Sequence, residues 1–360
     1  MQIQHNNQPG RIESIDAMRG WIMFLLVSSG FGLAHVAEQP FWGTLSVQFT
    51  HHAWNGLHFW DLVQPYFMFI VGVSLPFACA NRLAKGDSQK SITLNVLRRS
   101  FILLLLGMFL GTKGAGQLQV QLWNVLCQLA FTYPVAYFFM RYSIRRQLVI
   151  SCIILIVYDI LFRLFPMAGA ANPYMPDLNF GAAMDLIIVN KLSAGHWVTI
   201  GAASTTAHTM WGVVAGQIMM SARTSAAKLK WFIAAGVLML ITGLALDPLI
   251  PIIKRICTAS FTIHTGGWCF ITLAFFYWFV DLKKQGRWIH FLTIVGMNSI
   301  FIYMTAQLFR SSFGKIIAVF TQPLVDAFGV FGQVLHENIV LLSMWYLCYW
   351  LYKRRVFIKI

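Results

Sequence analysis

Acidic residues are scarce. The 360-residue chain holds 12 Asp and Glu against 27 Lys and Arg, and charged residues make up only 11% of it while 58% is hydrophobic. In an ordinary soluble domain about a quarter of residues are charged, so this balance excludes one and reads as a polytopic membrane protein. The net charge of +15 sits in short clusters between apolar runs, as the positive-inside rule requires, and nucleic acid is not an expected partner. The six cysteines (Cys79, Cys127, Cys152, Cys257, Cys269, Cys348) fall in or beside apolar segments with no CxxC or His-Cys spacing, so neither a disulfide framework nor a metal is expected. A cleavable leader pattern is also missing. The polar MQIQHNNQPGRIESIDAMR precedes the first apolar stretch and no small-residue cleavage pattern follows it, so the first span is expected to be retained. No internal repeat argues for an inverted-repeat transporter.

What is present is a series of long apolar segments. A bilayer core needs roughly 20 apolar residues per helix, and ten segments meet that test, at 18–36, 57–80, 100–118, 122–140, 148–166, 197–221, 231–250, 257–280, 290–309 and 337–352. The expectation is an all-α membrane helix bundle of about ten transmembrane helices, one domain over 1–360. The loops RLAKGDSQK through Arg98 and Arg99, RYSIRRQ, SARTSAAKLK, DLKKQGR and the tail KRRVFIKI, counted with Arg11 and Arg19, hold twenty of the 27 Lys and Arg. They fall on alternate sides of the spans, which makes that side, with both termini, cytoplasmic. Residues 314–330 read as an interfacial or re-entrant piece, because a full span there would put KRR outside.

The stretch THHAWNGLHFWDLVQP, residues 50–65, gathers titratable groups at the outer mouth of the second segment. His51 and His52 lie at the mouth, with His58 and Asp61 one and two turns in. Trp54, His58 and Asp61 share one face if the segment is helical there. Asp61 is costly inside a membrane unless paired, which makes it a functional candidate, although an interfacial Trp and His belt accounts for its neighbours equally well. Other polar residues read more plainly. Asp159 and Arg163, four apart, form an intrahelical ion pair, and His208 and His264 are packing or hydrogen-bonding residues. Lys254 and Arg255 are snorkelling groups or contacts to an anionic saccharide.

Five stretches, RIESIDAMRG, HHAWNGLHFWDLVQPYFMFIVGVSLPF, VVAG, PIIKRICTASF and GMNSIFIYM, occur in this order, and with them the chain resembles the heparan-alpha-glucosaminide N-acetyltransferase family, bacterial members included. The likeness runs from Arg11 to about Tyr303. It implies a membrane enzyme that takes acetyl from cytosolic acetyl-CoA and places it on a glucosamine amine across the membrane, here in a bacterial inner membrane. It puts the catalytic histidine at His51, three before Trp54, and matches Asp61 through Pro65, Pro251 through Lys254 and Gly296 through Ser299. The departures are Gln64 for an aromatic, Gln128 for an arginine, HWVTIGAAS without the acidic Glu-Gly signature, and Ser28, Ser29 and Gly30 in place of an asparagine.

On that reading His51 is a general base or an acetyl carrier, Asp61 orients an imidazole, and Asn298 either donates to the thioester oxyanion or makes a helix-helix hydrogen bond. His52, Trp54, Asn55, His58 and Lys254 are the acceptor-binding candidates, and Arg19, Arg82, Arg98 and Arg99 those for the CoA phosphates. Acetyl-CoA is the cosubstrate, and no metal is called for. The expected partners are the bilayer and an amino-sugar or oligosaccharide acceptor, with a homodimer as the assembly to test. An amino-sugar transporter and a membrane O-acyltransferase of surface polysaccharide are the rivals. The latter carries a histidine about ten residues after its Arg-Gly, where this chain has Ser29 and Gly30.

Overall fold

The computed structural model describes residues 12–116 and 120–358; Arg11, counted above with the inner cations, lies outside them. The described residues form an all-α bundle without named strands. The helices are α1 Glu13–Val27, α2 Pro40–Gln48, α3 Val63–Ala84, α4 Gln89–Ala115, α5 Val125–Phe139, α6 Ile144–Leu164, α7 Phe180–Ile188, α8 Gly201–Met220, α9 Ser225–Leu246, α10 Ala259–Phe276, α11 Gly286–Met297, α12 Ser299–Phe328 and α13 Val330–Lys353. A π-helical turn at Tyr277–Leu282 prolongs α10. Five helices are long and apolar enough to cross a membrane, and up to seven if each of two bent pairs is one span. Each of the ten expected segments overlaps helix.

The breaks between helices have local causes. After α1 the chain turns through Ser29, Gly30, Phe31 and Gly32, all at positive φ, so the first segment bends by 43° and continues as a 3-10 turn. α11 and α12 meet at Asn298 with a bend of 80°. Residues 314–328 are the second half of the 30-residue α12, and the bent α11 and α12 pair is either a broken span or a re-entrant piece. The apolar run simply continues the helix before it, and Pro323 does not end it.

α8 is buried along nearly its whole length and holds the bundle together. It meets α3 at backbone distance: a Cβ on Gly72 would lie 2.1 Å from the Thr209 carbonyl oxygen, and one on Gly212 2.1 Å from that of Phe69. Small residues allow such close crossings in membranes, where packing and interhelical hydrogen bonds replace the hydrophobic drive. Those hydrogen bonds are present. Ser204 pairs with Thr262 at 2.8 Å, His208 Nε2 with Thr265 at 2.9 Å, and Thr209 donates to Thr132 at 3.1 Å. His264 Nδ1 donates to the Leu240 carbonyl at 3.1 Å. Both inner histidines therefore have the hydrogen-bonding role expected of them, and Arg163 and Asp159 form the expected ion pair at 2.7 Å.

Candidate functional site

His51 to His58 are not helical. The second segment starts with a 3-10 turn at Phe59–Leu62 that leads into α3, so the single helical face expected for Trp54, His58 and Asp61 does not form. What organises the loop is Asp61, whose side chain has no solvent exposure. Its Oδ2 accepts from the backbone N–H groups of His52 at 3.1 Å and His58 at 2.9 Å, which folds the loop over the carboxylate. Gly56, at φ 136°, is needed twice: for that backbone angle, and because a Cβ would come within 2.6 Å of the His52 ring. That ring packs on His58 at 4.7 Å. Gly56 N–H donates to the Ile252 carbonyl at 2.9 Å, and Asn55 bridges to Ile253. Two segments distant in sequence are thus closed on each other.

That closure delivers Lys254 to the centre. His51 Nδ1 lies 2.9 Å from Asp61 Oδ1, and Lys254 Nζ lies 2.9 Å from the same nitrogen and 3.4 Å from the same oxygen. The ammonium of Lys254 is a donor only and would need a lone pair on Nδ1, whereas the carboxylate needs a proton there, so Nδ1 serves one of them at a time. With its proton on Nδ1 facing Asp61, Lys254 is left to pair with Asp61 Oδ1 and Nε2 carries the lone pair. No hydrogen bond among the described residues engages Nε2, and 39% of the His51 side chain is exposed. Lys254, a candidate for binding the acceptor, is buried and pairs with Asp61 beside His51. Burial lowers the basicity of His51, aided by Lys254 and Arg255 and opposed by the Asp61 hydrogen bond. Burial likewise lowers Lys254, against the pull of Asp61, to about 8.

Trp197 closes one side, edge-on to His51 at 5.4 Å, with Lys254 and Arg255 over its ring at 5.3 and 5.4 Å. Arg255 also donates to the Gly195 carbonyl at 2.5 Å, and the Asp185 carboxylate accepts from Thr199 N–H at 3.0 Å, so the loop before α8 is held at both ends. Trp54 donates to the Tyr174 carbonyl at 3.0 Å and meets the His196 ring at 6.0 Å, and His196 Nδ1 pairs with Asp177 at 2.7 Å. Sequence reasoning missed Asp177, His196 and Trp197. The HW pair in the long outer loop was the available signal.

At the other end of α3, Arg82, Arg98 and Arg99 line one cavity of about 500 Å³ between α3, α4 and α5. Arg82 is paired with Asp87 at 2.6 Å. Arg99 lies over the Tyr133 ring at 4.9 Å, and its buried Nε has no hydrogen-bond partner. A second cavity, of about 460 Å³ and mostly apolar, lies between α4, α5 and the start of α8. The buried hydroxyls of Ser100 and Thr199, both on its lining, have no hydrogen-bond partner. Arg19 does not line either cavity; it pairs with Asp16 at 3.0 Å and donates to Ser74 at 2.5 Å. Gln64 and Gln128, two of the departures noted above, hydrogen-bond to each other.

Asn298 is not brought to His51. Its side-chain nitrogen donates to the Val356 carbonyl at 3.2 Å and its oxygen accepts from Ile358 N–H at 2.9 Å, so it fastens the C-terminal tail. α13 separates the two places. Near its start Glu337 packs on Gly32, in the turn beside Phe49, and the tail follows its far end, roughly 24 Å further at 1.5 Å per residue.

No group of three or more His, Cys, Asp or Glu able to hold a metal occurs among the described residues. No protein-family model matches the chain. Among curated proteins it is similar to the human heparan-alpha-glucosaminide N-acetyltransferase, at 26% identity over 98% of this chain, and to the mouse protein of the same name, at 25% over 97%. The chain spans about 60% of the length of these relatives.

Proposed function

We propose that this protein is a transmembrane acetyltransferase that takes acetyl from acetyl-CoA on the side of Arg82, Arg98 and Arg99 and delivers it to an amino-sugar amine at the mouth formed by His51. The observation that carries this reading is the His51, Asp61 and Lys254 centre. A buried carboxylate fixes an imidazole with its free nitrogen toward the open mouth, the arrangement that general-base and nucleophilic acyl transfer both require. The similarity to the two N-acetyltransferases supports the reaction class, and the arginine-lined cavity supports the side from which the donor enters. A polyanionic CoA head group suits the arginine-lined cavity, and a neutral pantetheine arm suits the apolar one, with the orphan hydroxyls of Ser100 and Thr199 as partners for its amides.

His51 is neutral near pH 7 on this reading, because burial and the adjacent cations disfavour its charged form. Its Nε2 either takes a proton from the attacking amine or accepts the acetyl group itself. Asp61 holds the ring and Lys254 balances the buried carboxylate. The test is transfer of labelled acetyl from acetyl-CoA to glucosamine by purified protein in liposomes. Wild type is expected to label the amine, and His51→Ala, still folded, is expected not to. If acetyl-CoA stays intact while N-acetylglucosamine is bound or carried, the protein is a transporter.

A further inference from the structure

The described residues place two histidine–carboxylate pairs at one mouth, and only the first has a role above. His196 Nδ1 lies 2.7 Å from Asp177 Oδ2, and each side chain is more than a third exposed. The pair adjoins the centre: His196 meets Trp54, and the next residue, Trp197, meets His51. Both His196 and Asp177 sit at positive φ, 58° and 57°, held there by loops tied through Trp54 and Tyr174, and through Arg255 and Gly195.

The electrostatics of the two pairs differ. The Asp61 carboxylate is buried and already shared by His51 and Lys254. Arg255 adds a second cation over Trp197, and no ion pair to it occurs among the described residues. An acceptor arriving as an ammonium ion is repelled there and cannot use Asp61. The exposed Asp177 carboxylate attracts the same cation, and the carboxylate at His196 Nδ1 leaves Nε2 as a proton acceptor.

Resting on the acetyltransferase reading, we propose that Asp177 and His196 form the station where the protonated amine of the acceptor docks and gives up its proton before it reaches the acetyl group at His51. The R–NH₃⁺ proton passes to His196 Nε2. The neutral nitrogen then bonds to the acetyl carbonyl carbon, and the bond from that carbon to sulfur, or to His51 Nε2 in the covalent route, breaks with its electron pair on the leaving atom. The second proton, lost from nitrogen, ends on that leaving atom, and His196 returns the first to water. The role differs from that of a merely structural pair in one respect: an amine already neutral at pH 7 does not need it.

The test compares glucosamine with methoxyamine, an amine uncharged at neutral pH, as acetyl acceptors for the full-length protein. His196→Asn is the variant to use, because Asn tolerates positive φ. Its kcat/KM for glucosamine at pH 7 is expected to fall by up to about 10-fold, the excess of ammonium over free amine for an amino group of ordinary pKa near 8, while transfer to methoxyamine changes little. Asp177→Asn is expected to raise KM for glucosamine alone, and it carries the test if the first variant unfolds. Equal losses for both acceptors, or no loss for either, overturn the proposal. Absence of transfer to both acceptors by wild type overturns the acetyltransferase reading, and the station with it.

Discussion

The proposed chemistry rests on three side chains, and their surroundings set the pH profile it would have. On that proposal His51 works unprotonated, and it is held below the ordinary imidazole value of about 6.5, so activity is expected to be lost as pH falls, at a pH under 6.5. Lys254 balances Asp61 only while charged, and its value of about 8 means that activity is also lost as pH rises through about 8. With methoxyamine as acceptor, kcat/KM is therefore expected to be bell-shaped between these limits. Lys254→Arg stays charged and is expected to abolish the alkaline fall. Asp61→Asn leaves no carboxylate to select the Nδ1 proton and is expected to lower kcat by roughly 10²- to 10⁴-fold. Asp61→Ala leaves the buried Lys254 without a counter-charge and is expected to lower stability by about 3–5 kcal/mol, read as a fall in Tm. The half-exposed His51→Ala should not show that fall. His51 and Asp61 were legible in the sequence because a short polar string stands out against apolar neighbours. Lys254 was legible as a snorkelling cation and, through the resemblance, as an acceptor-binding candidate, but not as a partner of Asp61, since its place depends on a contact 203 residues away. Asp177, His196 and Trp197 lie in loops whose pattern carries no period, so nothing linked them to the centre before the chain was folded.

Helices were the more legible level, because twenty apolar residues in a row have few alternatives to helix in a bilayer. The breaks were less so. The bends at Ser29–Gly32 and at Asn298 follow from backbone conformation and tail docking, which hydropathy does not record, and the helical face drawn through Trp54 and Asp61 failed because backbone bonds to a carboxylate outcompete a helical turn. The α3 and α8 pair shows how element packing positions the site, since α3 follows Asp61 and α8 follows the Trp197 loop. Gly212→Val places a side chain where the Phe69 carbonyl oxygen already lies 2.1 Å from a Cβ. Overpacking of this kind costs about 1–3 kcal/mol, so a lower Tm and a loss of acetyl transfer are expected together. Gly114→Ala, with nothing within 4 Å of the added atom, is the control that should change neither.

The whole molecule separates the arginine-lined cavity from the histidine mouth by its own thickness. Basic loops and three cavity-lining arginines occupy one end, and the histidine mouth occupies the other, so on the proposed function the direction of transfer would be a property of the bundle rather than of any residue. A charge-assisted hydrogen bond to a phosphate contributes about 1.5–3 kcal/mol, which at 1.4 kcal/mol per decade is roughly 10- to 100-fold in affinity. Arg98→Gln and Arg99→Gln are expected to raise KM for acetyl-CoA by about that factor with kcat unchanged, since neither touches His51. Sidedness tests the arrangement as a unit. In vesicles whose orientation is read from protease cleavage of the loop between α3 and α4, acetyl-CoA supplied on that loop's side should acetylate glucosamine sealed on the opposite side. Acetyl-CoA supplied only at the His51 mouth should not, because the arginines that would hold its phosphates face away. Equal transfer from both sides would mean that the donor reaches His51 through the mouth, and the two cavities along α4 would then have no part in the route.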